Sequence, residues 1–570
     1  MAEAVLPPPT DRDLASMHEA RLLARAARAA QAELAELPQE RVDAIIDAMA
    51  AAIAPSAEVL ARAAVEETGY GVVADKIQKN LFAAERVYQF IRPLRTVGVI
   101  ARDETRRVVE IAEPFGVVAA IIPSTNPTST AIYKILISLK ARCAVVLSPH
   151  PAAVGCITKV GEIMAEAARG AGAPRDAVSW MRTVTLEGTQ ELMKRREVAV
   201  ILATGGMGLV RAAYSAGKPA YGVGPGNAPA FIERTADVVQ AVRDVVTGKT
   251  FDNGVLCSSE NSVVVDAPIE AQVRAQLLEE GAHFLERDEA DALARLLVTP
   301  QRLPNPALVG KSAVYIAEQA GIRVAPTTRV LIAPLEGVGR DYPLSIEKLC
   351  PVLSYYVVND WREGCERCKQ ILRYGGMGHT MAIHSRDENV ILEFGLHKPA
   401  FRVIVNSPTT HGSIGLTTGL EPALTLGCGG FGGNITSDNI GPRHLLNIKR
   451  MAYGLRPARP GDHPARRDAS VAPSSEPRAM PQGLPVDSAT LSARVGAFLD
   501  ARGFAPPRSA PPAAAPADVR PAEILTLDFV CEDDVRQAHR AGRAIRLAPR
   551  ALVTPAARDL AASLRVELGE

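Results

Sequence analysis

The chain has 570 residues, of which 22% are charged and 47% hydrophobic, a globular composition long enough for two or more domains. Its net charge of +1 supplies no strong pull toward nucleic acid or an anionic membrane. No unbroken apolar run approaches the roughly 20 residues that span a bilayer, and the opening residues lack the basic region and apolar core of a secretory signal.

Taken in chain order, Asp11 to Ile91 is rich in Ala, Leu, Glu and Arg at helical spacing and predicts several packed helices. Val108–Ile111 reads as a short strand. Gly116–Ile122 is a fully apolar strand, Pro123–Pro127 a loop, Thr128–Ala141 a helix and Ala144–Leu147 another apolar strand. Such a βαβ unit belongs in a parallel sheet. The pattern recurs: strand Val198–Ala203, turn Thr204–Gly208, helix Leu209–Ala216, then Pro219–Val223. The first half is therefore read as a doubly wound, Rossmann-like α/β domain. A second α/β unit follows from about Thr235, with strands expected at Ser262–Val265, Ala313–Ile316 and Val403–Val405.

The predicted domains are 11–234 for the cofactor, 235–425 for the catalytic thiol and 426–454 for a return to the first domain. Beyond Gly454, Pro, Ala, Arg and Ser dominate. A disordered linker is expected over 455–522, interrupted by an amphipathic helix at 488–502 that aligns Leu491, Val495, Phe498 and Leu499. The last segment, 523–570, is expected to carry short helices, one near Asp528–Arg536 and one opened by Thr554-Pro555.

Eight cysteines at irregular spacing make no disulfide framework and fit a reducing compartment. Cys365 and Cys368 form one CxxC without a second pair, in a charged stretch that reads as a surface helix; no metal site is expected. Cys257 differs. It lies between the turn Asn253-Gly254 and the apolar strand Ser262–Val265, a corner where a thiol can attack a carbonyl carbon. Alone, an inert buried cysteine explains it equally well.

Asn126 stands where a buried strand ends and a helix begins. Its amide can donate to an oxyanion, or it is simply a turn or cap residue. Thr204, Gly205 and Gly206 follow a strand and open a helix, a turn that lets phosphate approach without matching GxGxxG. Gly429–Asn434 is a second glycine-rich turn that suits phosphate, or is only a flexible turn. Glu347 suits the hydroxyls of a ribose, or is a surface carboxylate. His379, among glycines, suits proton transfer or a structural role.

Together these segments resemble the aldehyde dehydrogenase superfamily, over about Asp13 to Gly454. Asn126–Ile132, Ser148–Pro151, Tyr221–Asn227, Gly378–Thr380 and Gly441–Ile448 resemble its CoA-acylating branch. That branch includes the aldehyde half of bifunctional aldehyde/alcohol dehydrogenases, sulfoacetaldehyde dehydrogenase and the propionaldehyde dehydrogenases of bacterial microcompartments. The resemblance implies Cys257 as nucleophile, with Asn126 and the Cys257 backbone amide as oxyanion hole. It places Thr204, Gly205 and Gly206 near the phosphates and nicotinamide of NAD, Ser148, Pro149 and His150 near the adenosine, and Glu347 on the nicotinamide ribose. His379 would assist proton transfer.

Oligomerisation elements near Thr105–Glu113 and Leu445–Tyr453 imply a homodimer or tetramer. Hydrolytic members carry a glutamate that activates water; the matching turn, Tyr221–Gly226, has no carboxylate, which implies coenzyme A as acceptor. Glu260, three residues past the cysteine, is the one alternative base. The tail stretch Phe529–Leu560 resembles a segment appended to microcompartment enzymes, and Ser488–Arg502 resembles an encapsulation peptide. These imply a small aldehyde (propionaldehyde or acetaldehyde) as substrate, shell or core proteins as partners, and the lumen of a microcompartment in a bacterial cytoplasm as location. A cytosolic sulfoacetaldehyde dehydrogenase is the alternative.

Overall fold

Val117–Ile122 is buried at all six positions, because in the computed structural model this strand is covered on both faces by helices. The structure describes residues 11–456 and, with short gaps, 525–569, which belong to two separate compact units. In the first unit, β1 (Gly98–Asp103) and β2 (Val108–Pro114) pair antiparallel. Five strands then build a parallel sheet: β3 (Val117–Ile122), β4 (Val145–Pro149), β5 (Val178–Trp180), β6 (Val198–Thr204) and β7 (Ala220–Val223). Their order is β5-β4-β3-β6-β7. The chain runs outward from β3 to β5, then returns to the other side of β3, so a switch point lies between β3 and β6. Crevices beyond the carboxyl ends of strands at such a point are where open α/β sheets bind ligands.

A seven-stranded parallel sheet follows, from β8 (Ala228–Ile232), β9 (Glu260–Asp266), β10 (Ala282–Phe284), β11 (Val330–Pro334), β12 (Val352–Val358), β13 (Gly378–His384) and β14 (Ala400–Val405), ordered β10-β11-β12-β9-β8-β13-β14. Finally β15 (Leu446–Ala452) pairs antiparallel with β2 and forms an edge of that small sheet.

Several expectations change. The chain crosses between the two large sheets at 224–227, ahead of the expected break at 234, because β8 pairs with β9 and β13. Ile414 and Ala423 already join the core of the first sheet, so the return precedes 426. Ala313–Ile316 is a helix, Ala313–Gln319, capped by the Ser312 hydroxyl accepting from the Tyr315 N–H at 3.3 Å. Its run of apolar residues is too short for periodicity to separate helix from strand, and the cap decides. Cys365 and Cys368 do lie on a helix, Trp361–Tyr374, but on its buried face.

The stretch Gln39–Thr68 is long and apolar enough to cross a membrane by length and composition alone. It is broken at Ala54–Ser56 and packs Ile45, Ile46, Met49, Ile53 and Leu60 into the core, as a helix pair of a globular domain does.

The expected linker beyond Arg456 and the helix at 488–502 lie outside the described residues. In the second unit the expected short helices are Glu532–Ala541 and Pro555–Leu564. They alternate with three parallel strands that the sequence reading did not place, β16 (Leu525–Val530), β17 (Ile545–Val553) and β18 (Leu568–Gly569). Val530, Val535, Ile545, Ala557 and Ala561 form a small core of their own.

Candidate active site

A cavity of about 510 Å³ opens at the switch point of the first sheet. One wall is the loop after β3, with Pro123, Ser124, Thr125 and Asn126; another is the turn after β6, with Thr204, Gly205 and Gly206. Pro149 and His150, Gly224 and Pro225 of the crossing, Cys257 and Glu347 complete it. Lys134, fully buried in the helix Pro127–Lys140, donates to the carbonyls of Ile121 at 2.8 Å and Leu202 at 2.9 Å. It thereby fixes the two strand ends that carry Asn126 and Thr204, and burial lowers its pKa well below the usual lysine range.

Cys257 follows a turn in which Asp252, Asn253 and Gly254 all take positive φ, at 51°, 53° and 72°. This turn reverses the chain after the helix Val238–Thr250 and sets the thiol, half-buried, before β9. Its Sγ lies 3.2 Å from His379 Nε2, and His379 Nδ1 lies 2.9 Å from the Thr380 hydroxyl. Burial, with Glu347 and Cys428 adding, pushes the thiol up to about 12, while Arg402 opposes the rise. Burial, with the Arg402 guanidinium adding, holds His379 at about 3. The imidazole is therefore neutral near pH 7. In the tautomer whose Nδ1–H donates to Thr380, its Nε2 lone pair faces the thiol.

Glu347 Oε1 accepts from the Gly226 N–H at 2.9 Å. Burial pushes this carboxyl up to about 8. A Cβ at Gly226 would come within 1.9 Å of the Cys257 carbonyl oxygen, so only glycine lets the crossing pass this close. Asn126 Oδ1 accepts from Lys79 Nζ, and its Nδ2 reaches Thr125 Oγ1 at 3.2 Å.

The structure thus gathers Cys257, Asn126, Thr204, Gly205, Gly206, Pro149, His150 and Glu347 around one cavity, with His379 behind the thiol. Ser148 differs: it is fully buried, bonded to the Thr189 hydroxyl at 2.8 Å, and it is Thr189 that lines the cavity. Glu260 is also buried. Its Oε1 accepts from the Thr409 N–H at 2.6 Å, its carboxylate packs against Gly248, and it does not line the cavity. Arg402 and Lys79 escaped the sequence reading; the spacing of Lys76 and Lys79, one helical turn apart, was the available signal.

A thiol, an imidazole and a side-chain amide thus meet at a switch-point cleft on an α/β scaffold. The profile of the aldehyde dehydrogenase family matches residues 10–295, and the chain belongs to that family. The bifunctional aldehyde-alcohol dehydrogenase AdhE of Escherichia coli (strain K12) is 42% identical over 439 residues, 76% of this chain and 49% of that protein. The chain spans about half the length of this relative. The solved acetylating aldehyde dehydrogenase of Geobacillus thermoglucosidasius is 49% identical, covers 79% of this chain and 100% of its own, and superposes with a TM-score of 0.78. A propionaldehyde dehydrogenase from the Clostridium phytofermentans fucose utilisation bacterial microcompartment is 28% identical, covers 76% and 97%, and has a TM-score of 0.69.

Proposed function

We propose that this chain is a CoA-acylating aldehyde dehydrogenase, oxidising a short-chain aldehyde, propionaldehyde or acetaldehyde, with NAD. The observation that carries the reading is the 3.2 Å contact between Cys257 Sγ and His379 Nε2 at the edge of the switch-point cavity. The cavity suits a dinucleotide. Thr204 Oγ1 is buried there without a partner, and a Cβ added at Gly206 or Gly208 would meet nothing within 4 Å, leaving room for phosphates beside the turn. Thr204, Gly205 and Gly206 would hold the phosphates, His150 and Pro149 the adenosine end, and Glu347 the nicotinamide ribose. When bound, NAD supplies the acceptor for the aldehyde hydrogen.

The chain's own residues do the rest. Cys257 sulfur adds to the carbonyl carbon while its proton passes to His379 Nε2. The carbonyl electron pair moves onto oxygen, where Asn126 Nδ2 and the Cys257 N–H donate to it. Oxidation leaves an acyl thioester on Cys257. Water is a poor acceptor for that acyl group, because among the described residues the one carboxyl lining the cavity, Glu347, is tied to the Gly226 N–H. Burial holds the Glu347 carboxyl up at about 8, and Glu260, whose Oε1 accepts from the Thr409 N–H, does not line the cavity. The thiol of coenzyme A can lose its proton to solvent, being partly ionised near neutral pH, and its thiolate then displaces the Cys257 sulfur without such a base.

The test is NADH formation from propionaldehyde with and without CoA. Steady turnover that depends on CoA is expected; equal turnover without it, yielding free acid, overturns the reading.

The reading extends to location and partners. The similarity to a microcompartment enzyme and the separate unit at 525–569 support work inside a bacterial microcompartment, with the C-terminal unit engaging shell or core proteins. The edge strand β15, with exposed Met451 on it and exposed Tyr453 and Leu455 just past its end, supports a homodimer or tetramer.

A further inference from the structure

Lys79 does not line the cavity, yet its ammonium touches a residue that does. It lies on the helix Val73–Leu81 with its side chain only 2% exposed, and Nζ donates to both Asp252 Oδ2 and Asn126 Oδ1. Asp252, in the left-handed turn before Cys257, is fully buried. Its Oδ2 also accepts from Lys76 Nζ at 2.9 Å, and its Oδ1 from the Val72 N–H at 2.7 Å. Lys76 Nζ further donates to the Thr125 carbonyl at 3.0 Å. The turn that carries the thiol and the loop that carries Asn126 are thus joined through two buried lysines.

We propose that Lys79 is a positioning residue for the oxyanion donor: it holds the Asn126 amide with Oδ1 turned away and Nδ2 presented to the substrate oxygen. The inference rests on the function proposed above. A primary amide is nearly the same shape after a half-turn, so packing alone sets its direction weakly. An ammonium is a donor only, with no acceptor to offer an NH₂ group. The flipped amide would set N–H against N–H and turn a carbonyl oxygen toward the developing negative charge. In the observed orientation one Nδ2 hydrogen reaches Thr125, and the second is available to a ligand. A charge-assisted bond at Oδ1 also polarises the amide and strengthens what Nδ2 can donate. A purely structural role, balancing Asp252 and the nearby Asp75, explains the bond of Lys79 to Asp252 but not its bond to Asn126. Burial holds Lys79 at about 8, so a second lysine here carries a desolvation cost that its bond to Asn126 gives a reason for.

The test is a double-mutant cycle in the full-length chain, reading the single-turnover rate of NADH formation from propionaldehyde, the aldehyde KM and the melting temperature. Asn126→Ala is expected to slow acylation by about 10²–10³-fold, the effect of losing one oxyanion donor. Lys79→Met is expected to slow it by about 10- to 100-fold, the size of one charge-assisted hydrogen bond, with little change in KM. In the Asn126→Ala background, Lys79→Met should cost almost nothing further. Losses that simply multiply overturn the proposal, since a role in general stability would act in either background. Should Lys79→Met fail to fold, Lys79→Gln, whose amide offers an acceptor as well as donors and so no longer dictates the direction of Asn126, completes the same cycle. Normal acylation in Asn126→Ala alone would instead remove the oxyanion role of Asn126, and the proposal with it, while leaving Cys257 untouched.

Discussion

Cys257 and His379 have their ionisations pushed far apart, the thiol up to about 12 and the imidazole down to about 3. No stable thiolate–imidazolium pair forms between them, so the proton moves only as sulfur attacks. Because His379 stays neutral until the pH falls toward 3, its basic form is not lost on acidification through the ordinary histidine range. The single-turnover acylation rate should therefore show no inflection near pH 6.5. His379→Ala should lower that rate by about 10²–10⁴-fold. It should also make the rate climb with pH, since the thiol must then lose its proton to solvent below its own pKa. A histidine-like limb near 6.5 in the unmodified protein would count against the assigned roles. At this scale the sequence showed residues whose chemistry is local: a cysteine after an Asn-Gly turn, an asparagine at a strand end, glycines before a helix. Arg402 and Lys79 were not visible, nor was the burial of Ser148 behind Thr189, because each depends on which strand or helix lies against it in the folded chain.

At the scale of elements, the apolar strands of the first sheet were legible because burial on both faces writes an unbroken apolar run. Ala313–Gln319 was misread for the same reason, since a short buried helix writes a similar run. The strands β16 and β17 interrupt their apolar residues with Thr526, Asp528, Arg546, Pro549 and Arg550, and the helices beside them dominated the pattern. The crossing between the sheets at 224–227 carries the clearest consequence. It packs Gly226 against the Cys257 carbonyl so tightly that one methyl group has no room. Gly226→Ala should push the thiol loop away by about an ångström, enough to cost on the order of 10²-fold in turnover. The secondary structure should be unaltered, because the large sheets lie on either side of the crossing. Circular dichroism and kcat measured together check this. A variant with full kcat would mean that the loop relaxes freely and that the position of Cys257 is less constrained than its contacts indicate.

The whole molecule places its chemistry in one unit and an appendage in another. Every cavity-lining residue named above, together with Lys79, His379 and Arg402, belongs to residues 11–456, and that unit has its own large core. The second unit buries Val530, Val535, Ile545, Ala557 and Ala561 in a core of its own. A chain ending at Ala458 should therefore keep the aldehyde turnover, CoA dependence and melting temperature of the complete protein. On the proposed function, what it should lose is co-localisation with shell proteins when both are produced in one bacterial cell, since the second unit is the part proposed to engage them. Fluorescent fusions of the complete and shortened chains, compared beside an activity assay of each, separate the possibilities. Turnover that falls while location stays the same would assign the second unit to the support of the enzyme and remove the argument for recruitment.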